Sequence, residues 1–336
     1  MGWNQIRGHA PARRFFQAAA ERGRLGQAYL FVGPEGVGRR LFARELAKAL
    51  LCERPLAALT ACDKCPSCQQ VAAETHPDVL TLSTPEGKHE LPVEEMRDFC
   101  SQLSLKPVRG GRKIGIVLDA DDFNLESANS FLKALEEPPP GVVLILIASS
   151  ADQQLGTILS RCQVVRFFPL SPADLAAVLQ EQGVTDAALR DRLVKLSHGS
   201  VARAIALNDD AVWKLREELI YGVTAERPDF VRLADLWWKF VEAGKNSAEQ
   251  RDRASIVVGF LVDALQQALK IALGAATGVD AADDRRLTAL AGRLGPDRLL
   301  DLIDRCVEAE FRIGRRVQLI LVIEAILDHL TRQGRG

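Results

Sequence analysis

The stretch AYLFVGPEGVGRR, residues 28–40, carries the reading of the fold. Its first five residues, Ala28 to Val32, are apolar and predict a short buried strand. A glycine-rich turn, Gly33-Pro34-Glu35-Gly36-Val37-Gly38, follows, and then Phe42, Leu46, Ala49 and Leu50 recur at the spacing of one helix face. Strand, glycine loop and helix in that order form the setting in which backbone N–H groups curl around phosphate.

Working outward, Asp78–Leu82, Lys113–Leu118, Val142–Ala148 and Val164–Phe168 read as further strands. Ser127–Glu137 reads as a helix stopped by Pro138, Pro139 and Pro140. Strands alternating with helices argue for a mainly parallel sheet covered on both faces. The strand signal ends near Ser171, an N-cap followed by Pro172 at the first helical position, and everything beyond it reads as helical. The expected division is residues 1–168, a small helical unit at 169–207 and a longer helical region at 208–336, with a boundary near Asn208-Asp209-Asp210.

A phosphate loop that hydrolyses nucleotide places Lys and then Ser or Thr after the last glycine, for the phosphates and for magnesium. Here the spacing from Gly33 to Gly38 is kept, but Arg39 and Arg40 occupy those two positions. An arginine fork does not replace a compact ammonium at a fitted site, and Arg40 brings a cation towards the metal position without a hydroxyl oxygen. Asp119 follows the strand Ile114–Leu118 as a magnesium-side carboxylate should, yet the next residue, where a base is needed, is Ala120. These two departures predict a site that does not hydrolyse and leave nucleotide binding open.

Four of the seven cysteines, Cys52, Cys62, Cys65 and Cys68, fall within residues 52–68. Four thiolates at such spacing match a closed tetrahedral zinc site, which would stabilise an insertion too small for its own core. The alternative for this cluster is buried free thiols.

The 336 residues are 47% hydrophobic and 26% charged, which excludes wholesale disorder, collagen and coiled coil. With 43 basic against 44 acidic side chains, no overall positive field draws the chain onto nucleic acid. The longest purely apolar run, Val142–Ala148, is far short of the roughly 20 residues of a bilayer span. Met1–Arg14 lacks the apolar core of a secretory leader, and Ile6 breaks the myristoylation pattern after Gly2, so a cytoplasmic protein without membrane partners is expected.

Taken together, Ala28–Arg40, His76-Pro77-Asp78, the run Asn129–Pro139 and the triplet Ser160-Arg161-Cys162 resemble the bacterial clamp-loader subunits of the AAA+ class, closest to the delta-prime family of DNA polymerase III. The resemblance covers about residues 1–207 in order. It implies a P-loop-type AAA+ domain, a helical lid and a helical collar. It further implies a structural, non-hydrolysing subunit of a hetero-oligomer with gamma/tau ATPase and delta subunits, which loads a sliding clamp onto primed DNA. Arg161 corresponds to a finger that enters a neighbour's nucleotide site, and Arg203, in Gly199-Ser200-Val201-Ala202-Arg203, to a lid residue that senses nucleotide. Members of the family also carry a four-cysteine zinc module at the positions matched here by Cys52, Cys62, Cys65 and Cys68. Two other readings compete: an active ATPase of the same class, in which Arg39 replaces the lysine, and a zinc-dependent nucleic-acid binding module that reads through the cysteine loop.

Overall fold

The computed structural model describes residues 3, 6–86, 88, 90–109, 111–244, 247–275, 281–314 and 317–334. The chain divides into two compact units, residues 1–205 and 206–336.

In the first unit the elements run α1 (Ala10–Glu21), β1 (Ala28–Val32), α2 (Arg39–Leu51), α3 (Pro66–Ala72), β2 (Val79–Leu82), α4 (Val93–Ser104), β3 (Lys113–Val117), α5 (Leu125–Glu136), β4 (Val142–Ala148), α6 (Gly156–Leu159), β5 (Gln163–Arg166), α7 (Pro172–Glu181), α8 (Ala187–Leu196) and α9 (Val201–Ala206). The five strands form one sheet in the order β2-β3-β4-β1-β5, and every pairing is parallel. β1 is therefore an interior strand between β4 and the edge strand β5, with Leu30 opposite Leu146 of β4 and Val164 of β5. All residues of β1, β3 and β4 are buried, as expected for parallel strands covered on both faces.

Alternation along β1 sends its side chains into two cores. Ala28, Leu30 and Val32 join Met96 and Phe99 of α4 and Phe131 and Leu135 of α5. Tyr29 and Phe31 face the other way, where Phe16 of α1, Phe42 of α2 and Phe167 complete a cluster of tilted and edge-on rings. The expected strand Val164–Phe168 ends earlier, at Arg166. Phe167 keeps the face of Val165 and packs in this aromatic cluster, and its N–H still donates to the Val32 carbonyl at 2.7 Å.

Local chemistry sets the helix ends. α5 starts at Leu125, two residues before the expected Ser127, because Asn124 is its N-cap. Asn124 Oδ1 accepts from the Ser127 N–H at 2.8 Å, and Ser127 Oγ accepts in return from the Asn124 N–H at 3.1 Å. α7 begins as expected, with Ser171 Oγ accepting from the Asp174 N–H at 3.1 Å and Pro172 at its first position.

The second unit contains α10 (Asp210–Thr224), α11 (Phe230–Glu242), α12 (Ser247–Ala272), α13 (Ala281–Gly314) and α14 (Leu319–Gly334), and no strand among the described residues. Buried Val257, Val258, Phe260 and Leu261 of α12 form the middle of its core. Within Glu249–Ala272 an 18-residue window reaches a mean hydropathy of 1.4, enough by length and composition for a bilayer span, but 56% of that window is buried inside the protein, as in a core helix. α13 is two helical segments joined at Gly295, whose φ of 71° and the following Pro296 interrupt the backbone ladder. The α/β class with a parallel sheet and a helical C-terminal region, expected from the sequence, is the class observed.

Asn124→Ala removes one half of the reciprocal cap of α5 and is expected to cost about 1 kcal/mol. Urea titration followed by a probe in the first unit checks this; an unchanged midpoint would mean that packing alone holds the start of α5.

Candidate functional site

The glycine loop lies at the carboxyl end of β1, with the Gly33 N–H donating to the Ser149 carbonyl at 3.2 Å just beyond β4. Two approaches require glycine. A Cβ on Gly33 would sit 2.2 Å from the Phe167 carbonyl oxygen, and one on Gly36 would sit 2.2 Å from Ser200 Oγ. Gly36 also has a φ of 73°, and its carbonyl accepts the Val201 N–H at 2.9 Å. The start of α9 is thus seated directly on the loop. Gly38, with a φ of 104°, is the N-cap of α2.

His9 supports the loop from below. It is 5% exposed, its ring meets Phe167 edge-on, and Nε2 lies 2.7 Å from the Val37 carbonyl. Sequence reasoning missed this residue, since a lone histidine before a helix carries no spacing signal.

The two arginines after the loop separate. The Arg39 guanidinium donates to the Ala148 carbonyl at the end of β4. Burial pulls it below the ordinary arginine range, against the pull of Asp121, Glu35 and Asp119. Arg40, read from the sequence as a cation near a metal position, pairs with Glu74 at 3.2 Å on an exposed surface. One helical residue turns the side chain by about 100°, which carries neighbours at the start of α2 to different faces.

The carboxylates are engaged by the chain itself. Asp119 accepts from the Thr84 N–H at 3.0 Å, and Asp122 from the Thr84 hydroxyl at 2.6 Å. Asp121 accepts from the Ser149 N–H at 2.6 Å and from Gln154 Nε2 at 2.8 Å, while burial raises its pKa. Arg203 lies on α9, where its N–H donates to Ser200 Oγ at 3.2 Å. The structure therefore gathers Gly33, Gly36, Gly38, Arg39 and Asp119 at one end of the sheet, while the Arg40 guanidinium is paired with Glu74.

Arg161 lies between α6 and β5, away from the glycine loop in sequence. Its Nε and Nη2 donate to Glu136 Oε1 at 3.0 and 2.6 Å, and Nη1 donates to the Thr157 carbonyl and to Ser160 Oγ, each at 2.9 Å. Its side chain is 32% exposed, so the guanidinium is oriented yet reachable from solvent.

The cysteine cluster is the most closely assembled group. The four sulfurs of Cys52, Cys62, Cys65 and Cys68 lie within 4.8 Å of one another, and none is in a disulfide. A tetrahedral ion bound at about 2.3 Å sets its sulfurs about 3.8 Å apart, so the set fits such an ion with small adjustment. Backbone N–H groups already point at the sulfurs: Cys62 to Cys52 at 3.2 Å, Cys65 to Cys62 at 3.3 Å and Cys68 to Cys65 at 3.4 Å. Donation from Lys64 and Cys65 brings the Cys62 thiol down to about 6, whereas burial pushes Cys52 and Cys68 up. Burial also pushes Cys100 to about 11 and Cys162 and Cys306 to about 12, which marks these three as packed thiols.

His76 does not compete for the cluster, because both its ring nitrogens are engaged. Nδ1 accepts from the Asp78 N–H at 3.0 Å, and Nε2 lies 3.3 Å from Ser67 Oγ. Ser67 in turn donates to Glu53, which also accepts from Arg109, and Asp78 accepts the Val108 and Arg109 N–H groups. The His76-Pro77-Asp78 turn thereby wires the cysteine insertion to the edge of the sheet.

With this geometry in place, the comparisons with known proteins are specific. A family model described as DNA polymerase III, delta subunit, matches residues 8–171. The delta' subunit of DNA polymerase III from Escherichia coli is 30% identical over 285 residues, 84% of this chain and 81% of that relative. The chain belongs to the delta' family of DNA polymerase III subunits. The family member from Pseudomonas aeruginosa is 37% identical over 204 residues, 60% of this chain and 62% of that relative, so the match spans less than two thirds of its length. Among solved structures, a gamma subunit-related protein of Thermotoga maritima is 16% identical, with a TM-score of 0.46 over 95% of this chain and 99% of that one.

Burial pulls the His9 imidazole below its ordinary range, against the upward pull of the Val37 carbonyl and Asp174. The unfolded chain then binds the proton first as pH falls, so this stabilisation is complete above about pH 6.5 and is lost as pH drops through the lower folded value. His9→Gln should therefore melt below the wild type at about pH 7.5, with the gap narrowing towards about pH 5.5. A gap independent of pH in paired melting curves would reject the neutral buried histidine.

Proposed function

We propose that the chain is a structural, non-hydrolysing subunit of a bacterial replicative clamp loader, acting in trans on a neighbouring ATPase subunit. Family membership supports the loader role. The observation that carries the finer reading is the contrast between two arginines: Arg39 is turned onto the chain's own Ala148 carbonyl, whereas Arg161 is oriented and reachable. A planar cation such as Arg161 suits the charge that develops on a transferring phosphoryl group. Glu136 orients it in the isolated chain, and a nucleotide phosphate would exchange for that carboxylate in the assembly.

In this reading residues 1–168 form the AAA+ domain, 169–207 the lid and 208–336 the collar of a hetero-oligomer with gamma/tau and delta subunits. The complex loads a sliding clamp on primed DNA, and contact with DNA comes through the assembly. α9 on Gly36, together with Arg39 and the engaged carboxylates, favours a nucleotide site that has become a packing surface. Cys52, Cys62, Cys65 and Cys68 hold a structural zinc. The ion would join the end of α2 to the start of α3, with no open position for chemistry.

Reconstitution with candidate motor, delta and clamp subunits tests the role of Arg161. Arg161→Ala should leave assembly unchanged on size exclusion but cut DNA-stimulated turnover at the neighbouring site by roughly 10³-fold or more. Unchanged turnover would count against the finger. Magnesium-dependent hydrolysis by the isolated chain, abolished in Asp119→Ala, would instead establish the active-ATPase alternative. Metal analysis of protein purified without chelators should find about one zinc per chain, the number four thiolates require.

A further inference from the structure

A buried charge lies beside the cysteine cluster. Lys48, in the last turn of α2, is only 4% exposed. Lysine is almost never buried to this degree unless it is paired. Its Nζ lies 2.7 Å from Glu45 Oε2 on the same helix and 2.8 Å from Asp63 Oδ1 in the cysteine loop. Glu45 is itself 4% exposed, so this helix pair is unlike the solvated ones common on helix surfaces.

Asp63 directly follows Cys62 and has a φ of 58°, in the left-handed region that residues other than glycine seldom adopt. That turn aims the Lys64 and Cys65 N–H groups back at the Cys62 sulfur. The residue that must hold a strained conformation for Cys62 to face its partners is thus the one gripped by a buried ammonium from the adjoining helix.

We propose that Lys48 is a positioning residue for the cysteine cluster, holding Asp63 and through it the Cys62 turn in the geometry that binds the metal. The inference rests on the reading that the cluster holds zinc. Lys48 touches no ligand sulfur in this role. It fixes the turn before the ion arrives, so the ion need not order that segment on binding.

The test is the rate of zinc release from the full-length, zinc-loaded chain into excess chromogenic chelator. Asp63→Asn keeps shape and tolerance of positive φ while removing the charge, and Asp63→Gly removes the carboxylate while relieving the backbone. Both variants, and Lys48→Met, should release zinc about tenfold to a hundredfold faster, the usual range for groups that orient metal ligands. The Lys48→Met/Asp63→Asn double variant should be no faster than Lys48→Met alone. Arg44→Ala, which removes an arginine one turn earlier that pairs with Glu74, should match the wild type.

Wild-type release rates in both Asp63 variants would overturn the inference, because the turn would then be held by its backbone alone. If Lys48→Met fails to fold, the Asp63 variants still decide, since that side chain sits at the partly exposed end of the pair. Wild-type protein with well under one zinc per chain would remove the metal reading itself, and this inference with it, before any variant is compared.

Discussion

The carboxyl end of β1 leaves no room for side chains. Between Gly33 and the Phe167 carbonyl, and between Gly36 and Ser200, a single added carbon would overlap existing atoms. That closeness joins the sheet, the glycine loop and the start of α9 into one packed region, with His9 and Phe167 beneath the loop. A loop whose geometry suits phosphate is here also a loop against which the chain packs itself.

The charges around it follow from that packing. A buried guanidinium needs acceptors, and Arg39 has the Ala148 carbonyl together with the fields of Asp121, Glu35 and Asp119. The carboxylates in turn accept from Thr84, Ser149 and Gln154. Every one of these contacts lies within the chain. Arg161 has the opposite character, because its partners lie at an accessible surface and a surface ion pair holds its members by only about 0–1 kcal/mol. Such a pair can orient a side chain and still exchange for a stronger anion.

Much of this was legible in the sequence where periodicity and spacing carry information. The apolar runs marked β1 and β4, the cysteine spacing marked the cluster, and Ser171-Pro172 marked the start of α7. Less legible were features that depend on a partner distant in sequence. Asn124 caps α5 two residues ahead of the apolar pattern, and β5 stops at Arg166 although Phe167 still packs on the aromatic face. His76 carries no spacing signal for its role, a hydrogen-bonded link between Ser67 and Asp78.

The sequence by itself determined the parallel α/β pattern, the helical remainder, the glycine loop without lysine or hydroxyl, and the four-thiol set, since each is written in local residue order. Only the tertiary structure decided where the charges go: Arg39 to Ala148, Arg40 to Glu74, Arg161 to Glu136 and Lys48 to Asp63. Long cationic side chains reach several ångströms from their backbone. Their partners are chosen by what folding brings within that reach and by how little water is left there, and local order encodes neither.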